Sequence, residues 1–195
     1  MNLQEATRDV VERHRLEKWF LRVPEGRDYA RDIIKYLVAK LPKHAHILEL
    51  GSGIAQNLVV LNKLGFERVA GVELDQTLYT ASLELCELTD AKVELVCGDA
   101  ESVSFYGKWE AILPINWTYR AGVDIAALLK NLHARLCDHG EVIIDIIDSS
   151  LPADQSPEYV QRFNLKEVMS MTAGLYCCVK TSEYMPRIVY HLEKI

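Results

Sequence analysis

No stretch of this 195-residue chain holds about 20 consecutive apolar residues, so none reads as a bilayer-spanning helix. The N-terminus lacks an apolar leader as well: Met1 to Arg15 is charged and polar, where a secretory signal needs hydrophobic side chains. A cytoplasmic protein without a membrane partner is therefore expected. Positive charge is in short supply, with 22 Lys and Arg against 28 Asp and Glu and a net charge of −6. That balance works against gripping phosphate backbones and disfavours nucleic acid as a partner. Cysteine is sparse and odd in number, and Cys86, Cys97, Cys137, Cys177 and Cys178 form no CxxC pair. Neither a zinc site nor a disulfide framework is expected, and the five are read as buried, reduced thiols. Internal repeats, linkers and low-complexity tracts are missing too, and the length suits one core better than two. A single domain over residues 1–195 follows.

What is present is a regular alternation of helix and strand patterns. Asn2 to Arg22 reads as a partly exposed helix through Leu3, Ala6, Val10 and Leu16. After a break at Pro24 and Gly26, Asp28 to Leu41 sets Ala30, Ile33, Ile34, Leu37 and Val38 on one face, and Pro42 ends it. Strands are predicted at His46–Leu50, Arg68–Leu74, Lys92–Cys97, Trp109–Leu113 and Glu141–Ile147. Between them lie a helix through Ile54, Leu58, Leu61 and Leu64 that stops at Gly65, one capped by Asp75 and running to Leu88, and one over Asp124–Leu136. A turn at Asp138–His139–Gly140 is expected before the fifth strand, which is apolar on both faces and therefore central. A helix at Leu165–Ala173 and two strands, Leu175–Glu183 and Arg187–Lys194, close the chain around Met185 and Pro186. Repeated strand–helix–strand units predict an α/β fold: a doubly wound, mainly parallel sheet with an antiparallel C-terminal hairpin and added N-terminal helices. Ligands of such sheets sit beyond the carboxyl ends of the strands, so chemistry belongs after Leu50, Leu74, Cys97 and Leu113.

The first of these ends carries Glu49–Leu50–Gly51–Ser52–Gly53. Its glycines allow backbone angles closed to other residues and a close ligand approach. Two further strand ends supply acids. Glu73 stands about 20 residues on, where a carboxylate can accept two ribose hydroxyls. Asp99, in Gly98–Asp99–Ala100, can accept from an adenine amino group, and Glu49 itself can hold an ammonium. A dinucleotide fingerprint wants a third glycine where this chain has Gln56, and its pyrophosphate would be repelled by Glu49. A phosphate-free cofactor with a sulfonium and an ammonium, S-adenosylmethionine, suits these acids.

Glu49 to Gly53, Gly71–Val72–Glu73–Leu74–Asp75, Gly98–Asp99–Ala100 and His139–Gly140–Glu141–Val142 together resemble the motifs of the Rossmann-like, class I S-adenosylmethionine-dependent methyltransferases. The resemblance runs from about Ile47 to the C-terminus. It implies a core over residues 46–195, a helical lid over residues 1–42, and S-adenosyl-L-methionine as cofactor. Its cofactor contacts fall on Glu49, Gly51, Ser52, Gly53, Glu73, Leu74, Asp99 and Ala100, with the next family position at Pro114. Two departures are Ala55 in place of a third glycine, a mild change, and Asp138–His139–Gly140 in place of a Pro-Gly-Gly turn.

The stretch Leu113 to Arg120 follows the fourth strand and faces the transferred methyl in this architecture. Asn116 and Tyr119 are its candidate catalytic residues, and Trp117 can stack on a planar or cationic substrate, alongside Trp19 and Tyr29 from the lid region. An ordinary loop with one buried aromatic reads equally well there. His14 reads as a solvated helix residue. Asp148, with Asn116, lacks a third oxygen ligand for a divalent ion, so transfer without a metal is expected. No placed base stands out, which favours a nitrogen or a readily ionised oxygen on a small molecule as acceptor. Aminopropyl transfer, nicotinamide chemistry and a non-catalytic cofactor-binding subunit are the competing readings.

Overall fold

The computed structural model describes residues 1–100, 102, 107–116, 123–149, 162–184 and 186–195, and the chain divides into two compact units, Met1–Phe105 and Tyr106–Ile195. In the first unit β1 (His46–Leu50), β2 (Arg68–Glu73) and β3 (Glu94–Cys97) run parallel with β2 in the middle. Leu48, Leu50, Ala70 and Val72 are buried, as expected of parallel strands covered on both faces. Around them pack α1 (Leu3–Arg13), α2 (Asp28–Lys40), α3 (Gln56–Lys63) and α4 (Gln76–Thr89). The predicted stripe of α2 buries Ala30, Ile33, Ile34 and Leu37, the two isoleucines and the leucine being worth about 1.5–3 kcal/mol each. Asp75 caps α4 as expected, its carboxylate accepting from the amides of Thr77 and Leu78 at 2.7 and 3.0 Å.

The single helix expected over Asn2–Arg22 is two pieces. α1 ends at Arg13, Arg15 takes a left-handed φ of 53°, and the amides of Arg15 and Leu16 return to the carbonyls of Glu12 and Val11. That is a Schellman stop made without glycine. Apolar periodicity hid it because Leu16, past the stop, still packs against the cluster of Ala6, Val10, Phe20, Val59 and Leu85. Two 3₁₀ turns, Lys18–Leu21 and Pro24–Gly26, follow. His14 is not simply solvated either: its Nε2 lies 2.8 Å from Glu84 of α4, which Arg13 also pairs with.

In the second unit β4 (Trp109–Leu113), β5 (Leu136–Asp148), β8 (Arg187–Lys194) and β7 (Tyr176–Tyr184) are neighbours in that order, and β6 (Arg162–Phe163) adds to β5. β5 is parallel to β4 and β6 and antiparallel to β8, and β7 and β8 form the predicted antiparallel hairpin. α5 (Ile125–Arg135) is capped by Asp124, and α6 (Leu165–Met171) by a capping box between Asn164 and Glu167. The turn expected at Asp138–His139–Gly140 does not interrupt the strand: β5 runs through it as an irregularity, with Trp109 opposite Leu136 and Ala111 opposite Glu141. Gly140 lets the backbones meet there, since a Cβ would stand 2.8 Å from the Trp109 carbonyl. β6 was not anticipated, because two residues carry no readable period. The cysteines also need correcting: all five are free, but Cys86 alone is buried, Cys177 is exposed, and the others are partly so.

Candidate functional site

Within the first unit the three predicted strand tips stand side by side. Glu49 pairs with Gly71 across β1 and β2, and Glu73 with Cys97 across β2 and β3. Past the strand ends the amide of Ser52 reaches the Val72 carbonyl and that of Gly98 reaches the Glu73 carbonyl, both at 2.9 Å. Gly51 and Gly53 have φ of 67° and 56°, and Ala55 follows at 61°. The chain therefore turns through three left-handed residues, the last without the glycine that would adopt it freely, so Ala55 is less mild a departure than its size implies. A side chain on Gly53 would also meet Phe20 at 3.3 Å.

Glu73, buried, accepts the Gly53 amide on one carboxylate oxygen at 2.8 Å and the Asp75 amide on the other at 2.9 Å. The amide that an incoming phosphate would use is thus already bound to a carboxylate. Glu49 is 3% exposed. One of its oxygens accepts from the Asn57 side chain at 2.5 Å, and the other, Oε2, has no partner among the described residues. Burial pushes the Glu49 carboxyl up to about 7, and the Glu73 charge adds to this, while the Asn57 hydrogen bond and the Arg27 guanidinium pull it down. An orphaned, buried carboxylate oxygen beside a second carboxylate fits a cation, and the amino-acid ammonium of S-adenosylmethionine has the required sign.

Gly71 admits this packing. A Cβ there would lie 2.6 Å from Leu58 Cδ1, 2.7 Å from Ser52 Oγ and 2.9 Å from Ser52 Cβ. Gly71→Ala is expected to cost about 1–3 kcal/mol by overpacking. Urea melts check this, and an unchanged midpoint at constant slope would show that the turn yields freely.

The remaining predicted residues are placed as follows. Asp99 is exposed and Ala100 buried just past β3, while Leu74 is 54% exposed. Trp19 is 49% exposed and stacks on Phe20 with ring centroids 3.8 Å apart, and Tyr29 is half-buried on α2. In the second unit Pro114 is buried after β4, and Asn116 has a left-handed φ of 58°. Trp117 and Tyr119 lie outside the described residues. Asn116 is tied down: its amide N–H donates to Asp145 Oδ1 at 2.8 Å, and its side-chain oxygen accepts from Arg187 at 2.6 Å. Arg187 also bonds the other oxygen of Asp145 at 2.5 Å. Burial pushes Asp145 up to about 7, the Asn116 amide works against that, and the touching guanidinium supplies its counter-charge.

Several of these residues escaped the sequence. Asp145 lies inside an apolar strand, and its partner Arg187 lies 42 residues away. Gln56 and Asn57 show only an ordinary helix start in sequence. Gln56 is buried, donates to the Phe20 carbonyl at 2.9 Å and Thr7 Oγ1 at 3.3 Å, and accepts from Arg27 at 3.2 Å. No local signal marks Arg27. An amide at the third-glycine position was the one available clue.

No protein-family model matches the chain. It is 33% identical over 134 residues to the ribosomal protein L11 methyltransferase of Thermosipho africanus, a match covering 68% of this chain and 50% of that protein. The chain thus spans about half the length of that curated relative. Among solved structures it is similar to the magnesium protoporphyrin IX methyltransferase of Synechocystis PCC 6803 with bound SAH, at TM-score 0.74 and 10% identity over 98% of this chain and 94% of that one. The N-methyltransferase NodS of Bradyrhizobium japonicum, in complex with S-adenosyl-L-homocysteine, gives TM-score 0.71 and 11% identity over 97% and 98%. The PH0226 protein of Pyrococcus horikoshii gives 0.72 and 16% over 87% and 91%. At these identities the structural likeness is one of fold, a mostly parallel α/β sheet ending in an antiparallel hairpin.

Proposed function

We propose that this chain, which carries the Rossmann-like fold of the class I S-adenosylmethionine-dependent methyltransferases, binds S-adenosyl-L-methionine and transfers its methyl group to a nitrogen or oxygen of a small-molecule acceptor without a metal. The supporting observation is the pair of buried carboxylates at the glycine turn, Glu49 with an open oxygen and Glu73 closing the turn on itself. When bound, the cofactor supplies an electrophilic methyl on a positively charged sulfur. Glu49 holds the ammonium, Glu73 the ribose, and Asp99 the adenine side. Gly51, Ser52, Gly53, Leu74 and Ala100 line the approach, with Pro114 at the next family position. Asn116, fixed by Asp145 and Arg187, orients the acceptor. Tyr119, Trp117, Trp19 and Tyr29 are the proposed acceptor contacts.

Calorimetry with S-adenosylhomocysteine and with NAD tests the cofactor assignment. Saturable binding of the first alone is expected, and binding of NAD in its place overturns the proposal. The pH dependence is specific as well. A cation bound at Glu49 requires the ionised carboxylate, whose pKa before binding is about 7. Affinity for S-adenosylhomocysteine should therefore fall about tenfold per pH unit below 7 as that group takes up a proton. Glu49→Gln should bind weakly at every pH, and a wild-type affinity flat from pH 7.5 to about 5.5 would remove Glu49 from the ammonium site.

A protein acceptor is the second reading, favoured by the similarity to a ribosomal protein methyltransferase. Incubation with labelled cofactor and either a metabolite pool or a ribosomal-protein fraction separates the two by where label appears.

A further inference from the structure

We propose that Arg162 and Arg187 form a subsite for an oxyanion on the methyl acceptor, a carboxylate or a phosphate, so that the chain acts on acidic small molecules. The inference rests on the methyl-transfer reading above and deepens it, because that reading assigns the acceptor no charge.

The subsite follows from strand register in the second unit. Ile147, near the carboxyl end of β5, stands opposite Arg162 on β6 and opposite Arg187 on β8. Arg187 stands opposite Tyr184 on β7 in turn. Directly opposed residues share a face of a sheet, so Arg162, Ile147, Arg187 and Tyr184 form one row across four strands. The two arginine backbones are two strand spacings apart, about 10 Å, a gap that their long side chains can close over Ile147. Ile147 is buried and both arginines are half-buried. That is the pattern of aliphatic stems covering an apolar residue while the charged heads stay at the rim.

The row lies where the acceptor is proposed to sit. β4 pairs with β5 over residues 136–142 of that strand, and β6 joins it further along, at Ile147 and Asp148. Asn116, past the end of β4, reaches Asp145 between these two stretches. Arg187 Nη1 bonds Asn116 at 2.6 Å and also Asp145, which ties the row to the residue proposed to orient the acceptor.

Charge points the same way. In a chain of net charge −6, two cations in one row at the strand ends run against the general balance. Asp145, two residues before Ile147 and on its face, pairs with Arg187. Asp148 alternates to the other face, and Arg162 bonds its backbone carbonyl at 3.3 Å. A carbonyl orients a guanidinium without cancelling its charge. Two planar forks above one apolar side chain suit an oxyanion, which can accept from both. The anion anchors one end of the acceptor, and Asn116 is left to orient the nucleophilic end.

The test uses the full chain, S-adenosylmethionine labelled in its methyl group, and a metabolite pool in four forms: untreated, esterified with acidic methanol, esterified and then saponified, and dephosphorylated. The untreated pool should take up label. If the subsite reads carboxylates, esterification should lower incorporation about 10-fold or more and saponification should restore it. If it reads phosphates, dephosphorylation should cause the loss. Incorporation that survives both treatments overturns the proposal. Arg162→Gln should lower the rate in dilute pool about 10- to 100-fold, the range for one charged hydrogen-bonded contact, and regain it as the pool is concentrated. Arg162→Lys should recover part of the loss, and both variants should bind S-adenosylhomocysteine within about twofold of wild type. A wild-type rate in Arg162→Gln, or a rate lowered equally at every pool concentration, takes Arg162 off the acceptor and overturns the subsite. If wild type binds S-adenosylhomocysteine but labels nothing in the pool, the small-molecule reading fails and takes the subsite with it. If S-adenosylhomocysteine itself does not bind, the cofactor assignment fails first.

Discussion

Arg187→Met is expected to lower the thermal midpoint by about 10 °C or more, with a loss that grows as pH rises above about 7. The substitution takes from Asp145, fully buried on β5, the guanidinium that pairs with it. Removing one partner of a buried pair costs about 3–5 kcal/mol, and each kcal/mol moves the midpoint of a chain this size by about 2–4 °C. The pH sign follows from Asp145. Burial holds its folded carboxyl near 7, well above the unfolded value of about 4. A raised folded pKa gives stability that is full below the unfolded pKa and drains away up to the folded one. In wild type, with the guanidinium in place, that drain ends near 7, and without it the folded pKa rises further, so the variant goes on losing stability above 7. Asn116 should lose its fixed orientation at the same time, since Arg187 and Asp145 hold it from two sides. Melts at several pH values decide the matter. A deficit independent of pH would mean that Arg187 contributes packing and not charge.

The second large effect is at Glu73. On the proposed assignment Glu73→Ala should weaken S-adenosylhomocysteine at least 100-fold, because two hydrogen bonds to a carboxylate, each worth about 1.5–3 kcal/mol, are lost together. The amides of Gly53 and Asp75 also lose their acceptor, so the turn should loosen. Glu73→Gln separates the two roles. Its amide can still accept one backbone N–H but presents a donor where the second acceptor stood. It should keep most of the stability and lose most of the affinity. Retained affinity in both variants would take Glu73 out of the ribose contact.

Much of the frame was legible in the residues. β1 and β4 match their predicted bounds residue for residue, because apolar runs flanked by turn formers leave little freedom. The end of α1 was not legible: its stop is a left-handed arginine, and no residue preference marks that. Asp138–His139–Gly140 has turn composition but sits within a strand, since a bulge and a turn draw on the same residues. At the site the acids on strand tips could be read because their spacing is local. Arg27, Asn57 and the partnership of Asp145 with Arg187 depend on contacts across 30 to 42 residues, which one sequence does not display.

Gln56 has a consequence for anyone who would retool this protein for a phosphate-bearing nucleotide. The obvious edit installs glycine there. That same edit would sever the fastening of the Phe20 backbone and of Thr7, and leave that Arg27 nitrogen with Asn57 alone of its two amide acceptors. Ligand choice and the seating of the first helices are thus wired through one amide, and neither can be redesigned without the other.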